Sequence, residues 1–176
     1  EELNAPVTNT LMGLGAISGL HDNFIGMLGM HGSLEANKAM ANADVILALG
    51  ARFDDRVTNN VKTFCPNATI VHVDIDPTSI SKTINAHIPV VGLLDIVIKQ
   101  LLDELKDKQF IVNQEENQTW WQQIEQWRAV NSFSYEQSKV IIKPQRVIES
   151  MYRATQGEAY VCSDVGQHQM FAAQYY

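Results

Sequence analysis

The stretch GMLGMHG, residues 26–32, decides the fold predicted for this chain, together with GARFDDR at residues 50–56. Three glycines in the first stretch allow the backbone to pass close to a ligand, because glycine has no Cβ atom and accepts positive φ. Ser33 follows directly and is a suitable N-cap for a helix that runs through Leu34 and Met40. A glycine turn that leads into a helix in this way predicts a ligand-binding loop.

The second stretch follows an apolar run, Val45–Leu49, which is typical of a strand buried in a parallel sheet. Gly50 ends this strand, and two arginines and two aspartates come next. The carboxyl ends of the strands bind ligands in α/β proteins, and arginine suits phosphate or carboxylate groups. A cluster of Arg–Asp ion pairs within the protein is the alternative, and the two explanations are compatible. A nucleotide cofactor is therefore the first ligand that the sequence suggests.

Strand and helix patterns alternate along the next segments, which favours βαβ units and a parallel sheet. The first of these segments ends in Asp74 and Asp76, which suit the ribose hydroxyls of a nucleotide. A helix cap or a solvated strand end would explain the two carboxylates equally well. The expected elements are a strand at 69–76, a helix after Pro77, a strand at 88–91 and an amphipathic helix from Leu94.

The remainder of the chain predicts one packing helix and the start of another α/β unit. Trp120, Trp121, Ile124 and Trp127 recur at helical spacing, as on a helix that packs against a domain. The new unit is expected from about residue 141, with a helix starting at Pro144, a strand at Ala159–Cys162 and a turn at Gly166 that opens a further helix. The free N–H groups at that helix start would suit a phosphate.

Composition and motif content exclude several classes of protein. The net charge of −7 argues against a nucleic-acid surface. The only two cysteines, Cys65 and Cys162, are far apart, which fits a reducing compartment and gives no disulfide or metal framework. No apolar run predicts a membrane span. His31 could reach a ligand or serve as a structural hydrogen-bonding group, and no metal site is predicted.

The sequence resembles the large catalytic subunits of the acetolactate synthase (acetohydroxyacid synthase) family. LGMHG, GARFDDRVT and GQHQM, in this order, make the resemblance specific, and it covers nearly the whole chain. The stretches that carry it are LMGLG (11–15), GMLGMHG (26–32), NADVILALGARFDDRVT (42–58), HVDIDP (72–77) and SDVGQHQMFAAQYY (163–176).

The resemblance implies a Rossmann-like, FAD-binding central domain of a thiamine-diphosphate enzyme, with a parallel sheet, followed by the start of a second α/β domain. The implied boundaries are 1–105 for the central domain, incomplete at its N-terminus, 106–140 for a linker with the packing helix, and 141–176 for the beginning of the thiamine-diphosphate-binding domain. The absence of an initiator Met and the end at Tyr176 agree with an internal fragment.

The resemblance also implies the cofactor contacts. Met30 and Arg56 would lie, in addition, at the mouth of the substrate channel. Gln167 and His168 would contact thiamine diphosphate. The implied FAD contacts are Thr10, Leu11, Met12, Leu28, Met30, His31, Gly32, Gly50, Ala51, Arg52, Asp54, Arg56, Val57, Asp74 and Ile75.

The implied activity condenses two pyruvates, or pyruvate and 2-oxobutanoate, to acetohydroxy acids with release of CO2, in branched-chain amino acid biosynthesis. FAD would have no net redox role, and Mg2+ would hold the thiamine diphosphate. The catalytic Glu and the Mg2+-binding motif are expected outside these 176 residues, so that this chain alone should be inactive. A homodimer, a possible small regulatory subunit and a location in the cytoplasm or an organelle matrix are also implied.

Two alternatives stay open at this point. The chain could be a non-catalytic nucleotide-binding module that docks on partner subunits. It could also belong to a sister thiamine-diphosphate carboligase or 2-keto acid decarboxylase, although GARFDDRVT and GQHQM together argue against that. The flanking sequence would separate the first alternative from the enzyme, because only the enzyme needs the Glu and the Mg2+-binding motif.

Overall fold

A computed structural model describes residues 2–176 and contains five strands and six helices in that range. Short 3-10 turns lie at Leu11–Gly13 and Val61–Thr63. The strands are β1 Val7–Asn9, β2 Phe24–Met27, β3 Val45–Leu49, β4 Thr69–Asp74 and β5 Ile88–Val91. The helices are α1 Leu34–Asn42, α2 Asp55–Thr58, α3 Leu94–Asp107, α4 Gln114–Arg128, α5 Pro144–Thr155 and α6 Gln167–Tyr175.

All strand pairs are parallel, which confirms the predicted α/β class. β1 pairs with β2, and β3, β4 and β5 form a second sheet in that order. Because parallel strands end on the same side, the loops after β1 and β2 share one sheet edge, and the loops after β3 and β4 share another. The predicted ligand-binding segments lie in these loops.

β3 was expected to be buried on both faces, and this is wrong. Ile46 and Ala48 are buried, whereas Val45, Leu47 and Leu49 are exposed. Successive side chains of a strand point to opposite faces, and the apolar cluster that contains Ile46 and Ala48 covers only one of them. The alternating apolar side chains of this strand therefore have an apolar partner surface on one side alone.

Two other expected elements are absent from residues 2–176. The segment after Pro77 forms turns rather than a helix, and the side chain of Asp76 accepts hydrogen bonds from Thr78 there. Ala159–Cys162 forms no strand. A strand needs a neighbour for its backbone groups, and no strand within the described residues pairs with this segment.

The predicted packing helix is present as α4, and it lies against α1. Ile124 is fully buried in a cluster with Ile25, Leu28 and two alanines of α1, and the three tryptophans pack around it. The ring of Trp120 meets that of Trp127 edge to face, with centroids 5.7 Å apart. α4 is therefore part of the apolar core beside β2.

His72 is a buried polar side chain in the middle of β4. It is 1 % exposed, and neither ring nitrogen has a hydrogen-bond partner within residues 2–176. Its ring instead packs edge to face against Phe53, with centroids 5.1 Å apart. Leaving a buried polar group without a partner is unfavourable.

We expect His72→Leu to leave the free energy of unfolding unchanged or to raise it by about 1–2 kcal/mol, because the substitution removes unpaired polar atoms from an apolar site. Denaturant unfolding measures the effect. His87→Leu is the matched control, since the Nδ1 atom of His87 accepts a hydrogen bond of 3.0 Å from the backbone N–H of Ile70. A larger loss of stability in the His72 variant than in the His87 variant would contradict this expectation.

Cys65 lies in the apolar cluster beneath β3, and its thiol donates to the carbonyl oxygen of Met40 over 3.1 Å. Burial raises the pKa of the Cys65 thiol from 9.0 to about 11. Below the unfolded-state pKa this shift contributes nothing to stability. Above it, the unfolded chain loses a proton that the folded chain keeps, so the free energy of unfolding falls as the pH rises from 9.0 towards about 11.

We therefore expect the free energy of unfolding of the wild type to fall relative to that of Cys65→Val when the pH is raised from about 8 to about 10.5. Denaturant unfolding at both pH values measures it. Cys162→Val is the control, because Cys162 is exposed and should show no such change. A difference for Cys65→Val that is independent of pH would refute the argument.

Candidate functional site

The glycine turn, residues 26–32, joins β2 to α1 and is held by bonds within itself and to α1. The N–H of Gly32 donates to the Gly29 oxygen at 2.9 Å, and the N–H of Ser33 donates to the Met27 oxygen at 2.9 Å. Asn37 clamps Gly29 from α1, accepting from its N–H at 2.9 Å and donating to its carbonyl at 3.0 Å. Ser33 caps α1 as predicted, accepting from the N–H of Ala36.

Two glycines of this turn are required sterically. Gly29 has a φ of +101°, and a Cβ atom there would lie 2.5 Å from the carbonyl oxygen of Arg56. A Cβ atom on Gly32 would lie 2.2 Å from the carbonyl oxygen of Met27. Both positions therefore exclude any side chain, and this explains why the sequence carries glycine there.

The strand tip, residues 50–57, runs from the end of β3 into α2. Asp54 caps α2 by accepting from the N–H groups of Arg56 and Val57 at 3.0 and 3.2 Å. Arg52 pairs with Asp54 at 3.3 Å and Arg56 with Asp55 at 4.0 Å, so the Arg–Asp pairs foreseen in the sequence exist. The side chain of Arg56 is nevertheless 69 % exposed. Exposed pairs of this kind are weak, so the guanidinium groups are free to bind an anion.

The glycine turn and the strand tip meet. The N–H of Met30 donates to the carbonyl oxygen of Arg56 at 2.8 Å, and the Arg56 Nη1 atom lies 3.8 Å from the Met30 Sδ atom. Because the missing Cβ of Gly29 faces the same carbonyl, the two backbones approach each other closely. The glycine turn and the strand tip, which the sequence predicted as ligand-binding segments, therefore lie in contact, with Met30 next to Arg56.

The remaining predicted FAD contacts adjoin this pair of segments. The N–H of Leu28 donates to the Asn9 oxygen at 3.1 Å, which places Thr10, Leu11 and Met12 beside the glycine turn. The N–H of Gly50 donates to the Val73 oxygen at 2.8 Å, which places Gly50 and Ala51 beside Asp74 and Ile75.

Asp74 and Asp76 both act in local turns. The Asp74 Oδ1 atom accepts from the N–H of Asp76 at 2.8 Å, and the Asp76 carboxylate accepts from the N–H and the hydroxyl of Thr78. The hydrogen bonds from the N–H and the hydroxyl of Thr78 hold the pKa of the Asp76 carboxyl below its usual value. No helix directly follows these two carboxylates, so the helix cap considered for them is wrong, and they stabilise turns instead. A carboxylate that accepts from a turn retains lone pairs for ribose hydroxyls.

The surface formed by these segments fits a flavin nucleotide in its chemistry. Met12 is 90 % exposed, and Met30 and Ile75 are exposed as well, so apolar side chains are available for an aromatic ring system. The exposed guanidinium groups of the strand tip supply partners for a diphosphate. The side-chain Nδ2 atom of Asn9 is buried at this edge without a hydrogen-bond partner among the described residues, as expected where a further acceptor belongs.

The N-terminus of α6 carries the other predicted cofactor contacts. Gly166 is its N-cap and offers no capping side chain, and Gln167 and His168 are exposed. The first N–H groups of this helix therefore lack a side-chain partner and suit an anion such as a diphosphate. The other end of α6 reaches the glycine turn, where the Nε2 atom of Gln174 donates to the His31 oxygen at 2.8 Å.

Sequence reasoning missed Asn37 and Gln174 as parts of this site. Asn37 was placed on the helix, but nothing in the local pattern shows that its side chain clamps Gly29. Gln174 lies at the far end of α6 and contacts a residue 143 positions away. Neither contact has a signal in the sequence, because each depends on how separate elements pack.

No group of three His, Cys, Asp or Glu side chains within residues 2–176 is arranged to hold a metal ion. None of the helices formed by these residues has the length and apolar character needed to cross a membrane.

Comparison with known proteins identifies the family of the chain. The family model described as "Thiamine pyrophosphate enzyme, central domain" matches residues 1–101. The chain is 57% identical over 176 residues to the acetolactate synthase isozyme 3 large subunit of Escherichia coli (strain K12), covering 100% of this chain and 31% of that protein. Over 176 residues it is 52% identical to the acetolactate synthase large subunit of Haemophilus influenzae, covering 100% of this chain and 30% of that protein.

A more distant relative extends the same pattern. The acetolactate synthase large subunit of Cyanidium caldarium is 39% identical over 173 residues, covering 98% of this chain and 29% of that protein. The chain thus spans about 30% of the length of the relatives it matches. These relatives do not favour a non-catalytic module or a sister carboligase.

Proposed function

The chain belongs to the thiamine pyrophosphate enzyme family, with residues 1–101 matching its central domain, and from this premise we propose that it is part of an acetolactate synthase large subunit. The observation that carries the proposal is the 57% identity to such a subunit over all 176 residues. The meeting of the glycine turn and the strand tip supports it, because Met30 and Arg56 lie side by side there.

The proposed reaction joins two pyruvates, or pyruvate and 2-oxobutanoate, with loss of CO2. Thiamine diphosphate, when bound, supplies the chemistry that stabilises negative charge on the carbon that loses CO2. Within this chain the N–H groups at the start of α6, with Gln167 and His168, would hold its diphosphate. The exposed guanidinium of Arg56, next to Met30, would attract the carboxylate of a 2-keto acid at the mouth of the channel.

FAD is proposed to lie along the glycine turn and the strand tip. The apolar side chains of Met12 and Met30 would contact its ring system, and Arg52 would face its diphosphate. Asp74 and Ile75, at the end of β4, would lie at its adenosine half. The full proposed set is the group of residues implied by the resemblance, with Asn37 added as the residue that keeps Gly29 in place.

The domain assignment is also a proposal. Residues 1–105 would form the central domain, 106–140 a linker with α4, and 141–176 the start of the thiamine-diphosphate-binding domain. In this assignment α4 is a linker helix that packs against α1 of the central domain. Mg2+ binding, a homodimer, a small regulatory subunit and a cytoplasmic or organelle-matrix location follow from the family resemblance.

The proposed function is tested with the complete large subunit in which this chain occurs. Purified with FAD, Mg2+ and thiamine diphosphate, it should convert pyruvate to acetolactate, and it should form acetohydroxybutyrate when 2-oxobutanoate is added. Product analysis distinguishes this outcome from plain decarboxylation to an aldehyde. Acetaldehyde as the sole product, or FAD binding without turnover, would overturn the proposal.

Arg56 offers a direct test of the proposed site. We expect Arg56→Ala to raise the dissociation constant of FAD about tenfold or more, because it removes an exposed cation that contacts the glycine turn. Flavin fluorescence titration of the complete subunit measures it. Arg153→Ala is the matched control, since Arg153 is an exposed arginine paired with Glu149 at 3.8 Å. If both variants bound FAD with equal affinity, Arg56 would not be part of the FAD site.

A further inference from the structure

Gln174 links the two parts of the chain to which cofactors are assigned. Its side-chain Nε2 atom donates a hydrogen bond of 2.8 Å to the carbonyl oxygen of His31 in the glycine turn. Gln174 lies near the end of α6, whereas Gln167 and His168 begin that helix. At 1.5 Å per residue the two ends are about 10 Å apart. One helix therefore reaches from the proposed thiamine diphosphate contacts to the proposed flavin turn.

Neighbouring contacts hold the same end of α6 in place. The hydroxyl of Tyr175 donates to the Phe133 oxygen at 3.0 Å, and the two rings lie 5.8 Å apart. Ser132, the residue before Phe133, accepts from the N–H of Leu34 at 3.2 Å, where α1 begins. The end of α6 is thus fastened to the segment that runs from the glycine turn into α1, through Gln174 directly and through Tyr175 indirectly.

The glycine turn is stiff enough to transmit a displacement of His31. The Gly29 oxygen accepts from the N–H of Gly32 and from Asn37, and the Met27 oxygen accepts from the N–H of Ser33. The N–H of Met30 is fixed to the Arg56 oxygen at 2.8 Å. A shift of the His31 carbonyl is therefore passed on to Met30 and, through this hydrogen bond, to the strand tip rather than being absorbed by a loose loop.

We propose that Gln174 is a positioning residue that couples the glycine turn to the N-terminus of α6, so that FAD binding and thiamine diphosphate binding strengthen each other. The inference rests on the proposed function, because that function supplies the two cofactors. Gln174 touches neither cofactor in this proposal and acts through His31. By thermodynamic linkage, each cofactor should then raise the affinity for the other by the same factor.

The test uses the complete subunit and measures the dissociation constant of FAD with and without saturating thiamine diphosphate and Mg2+. In the wild type, saturating thiamine diphosphate and Mg2+ should lower the dissociation constant of FAD. Gln174→Glu keeps the shape of the side chain but loses the donor and places a carboxylate against a carbonyl. It should weaken FAD binding about threefold to tenfold, as for the loss of one hydrogen bond. It should also bring the FAD dissociation constants measured with and without thiamine diphosphate and Mg2+ close to each other.

Two further variants give this test its controls. Gln122→Glu makes the same chemical change at an exposed position of α4 and should leave both constants unchanged. Gln174→Lys retains a donor and should keep most of the coupling. Gln174→Leu removes the donor without adding a charge, and it replaces the Glu variant if that variant does not fold. The visible circular dichroism of the bound flavin should change in Gln174→Glu and recover in Gln174→Lys.

The outcomes separate cleanly. A wild type that binds neither cofactor overturns the proposed function and this inference with it. A wild type that binds both cofactors with unchanged constants and coupling in Gln174→Glu overturns the inference alone. A lower unfolding temperature without any change in FAD affinity, coupling or flavin spectrum shows a merely structural role for Gln174 and also overturns it.

Discussion

Replacing Gly32 with alanine is expected to lower the free energy of unfolding by about 3 kcal/mol, the range for forced backbone overlap in a packed region. A Cβ atom at this position would lie 2.2 Å from the Met27 oxygen and 2.6 Å from the carbonyl carbon of Leu28. Both are backbone atoms and cannot turn aside. The glycine turn would have to open, which would break the hydrogen bond of 2.9 Å from the Ser33 N–H to the Met27 oxygen.

Denaturant unfolding of the complete subunit measures the loss, and flavin retention on gel filtration reports the state of the turn. Gly19→Ala is the matched control, because no atom lies within 4 Å of the added Cβ and Gly19 has no positive φ. Its stability should stay within about 0.5 kcal/mol of the wild type. Similar effects from the two substitutions would show that Gly32 is not confined by its neighbours.

Replacing Ile124 with alanine is expected to destabilise the protein by about 2–5 kcal/mol, the range for deleting a fully buried large aliphatic side chain. Ile124 is 0 % exposed and packs against Ile25 and Leu28. The cavity would therefore open directly under the end of β2 and the start of the glycine turn. We expect weaker FAD binding to accompany the loss of stability.

Ile111→Ala is the control for this substitution. Ile111 precedes α4 and is 83 % exposed, so its truncation should change the free energy of unfolding by less than about 0.5 kcal/mol. Urea unfolding of both variants decides the comparison. Equal stabilities for the two variants would show that α4 does not belong to the core beside α1.

Much of the candidate site was predictable because its signals are local. Gly29 and Gly32 reveal a close backbone approach through their spacing, and Ser33 reveals the start of α1 through its position before an apolar helix. Gly50 marks the end of β3, after which the arginines follow at once. Each of these inferences depends on residues that are neighbours in the sequence, where steric limits and capping act.

The failures have an equally physical origin. Ala159–Cys162 has the composition of a strand but forms none in the described chain, because a strand requires a hydrogen-bonding neighbour. β3 has a run of five apolar residues, yet three of the five side chains are exposed, because burial depends on what packs on each face. Pro77 suits a helix start, but the carboxylate of Asp76 ties the following residues into a turn.

The sequence by itself determined the α/β class, the positions of the glycine turn and the strand tip, and the family to which the chain is similar, because local spacing and strand ends are written directly in the residue order. Only the tertiary structure decided that the glycine turn touches Arg56, that α4 closes the core over α1, and that Gln174 reaches His31. Those contacts join residues far apart in the chain. They arise from the packing of whole elements, which no local pattern specifies.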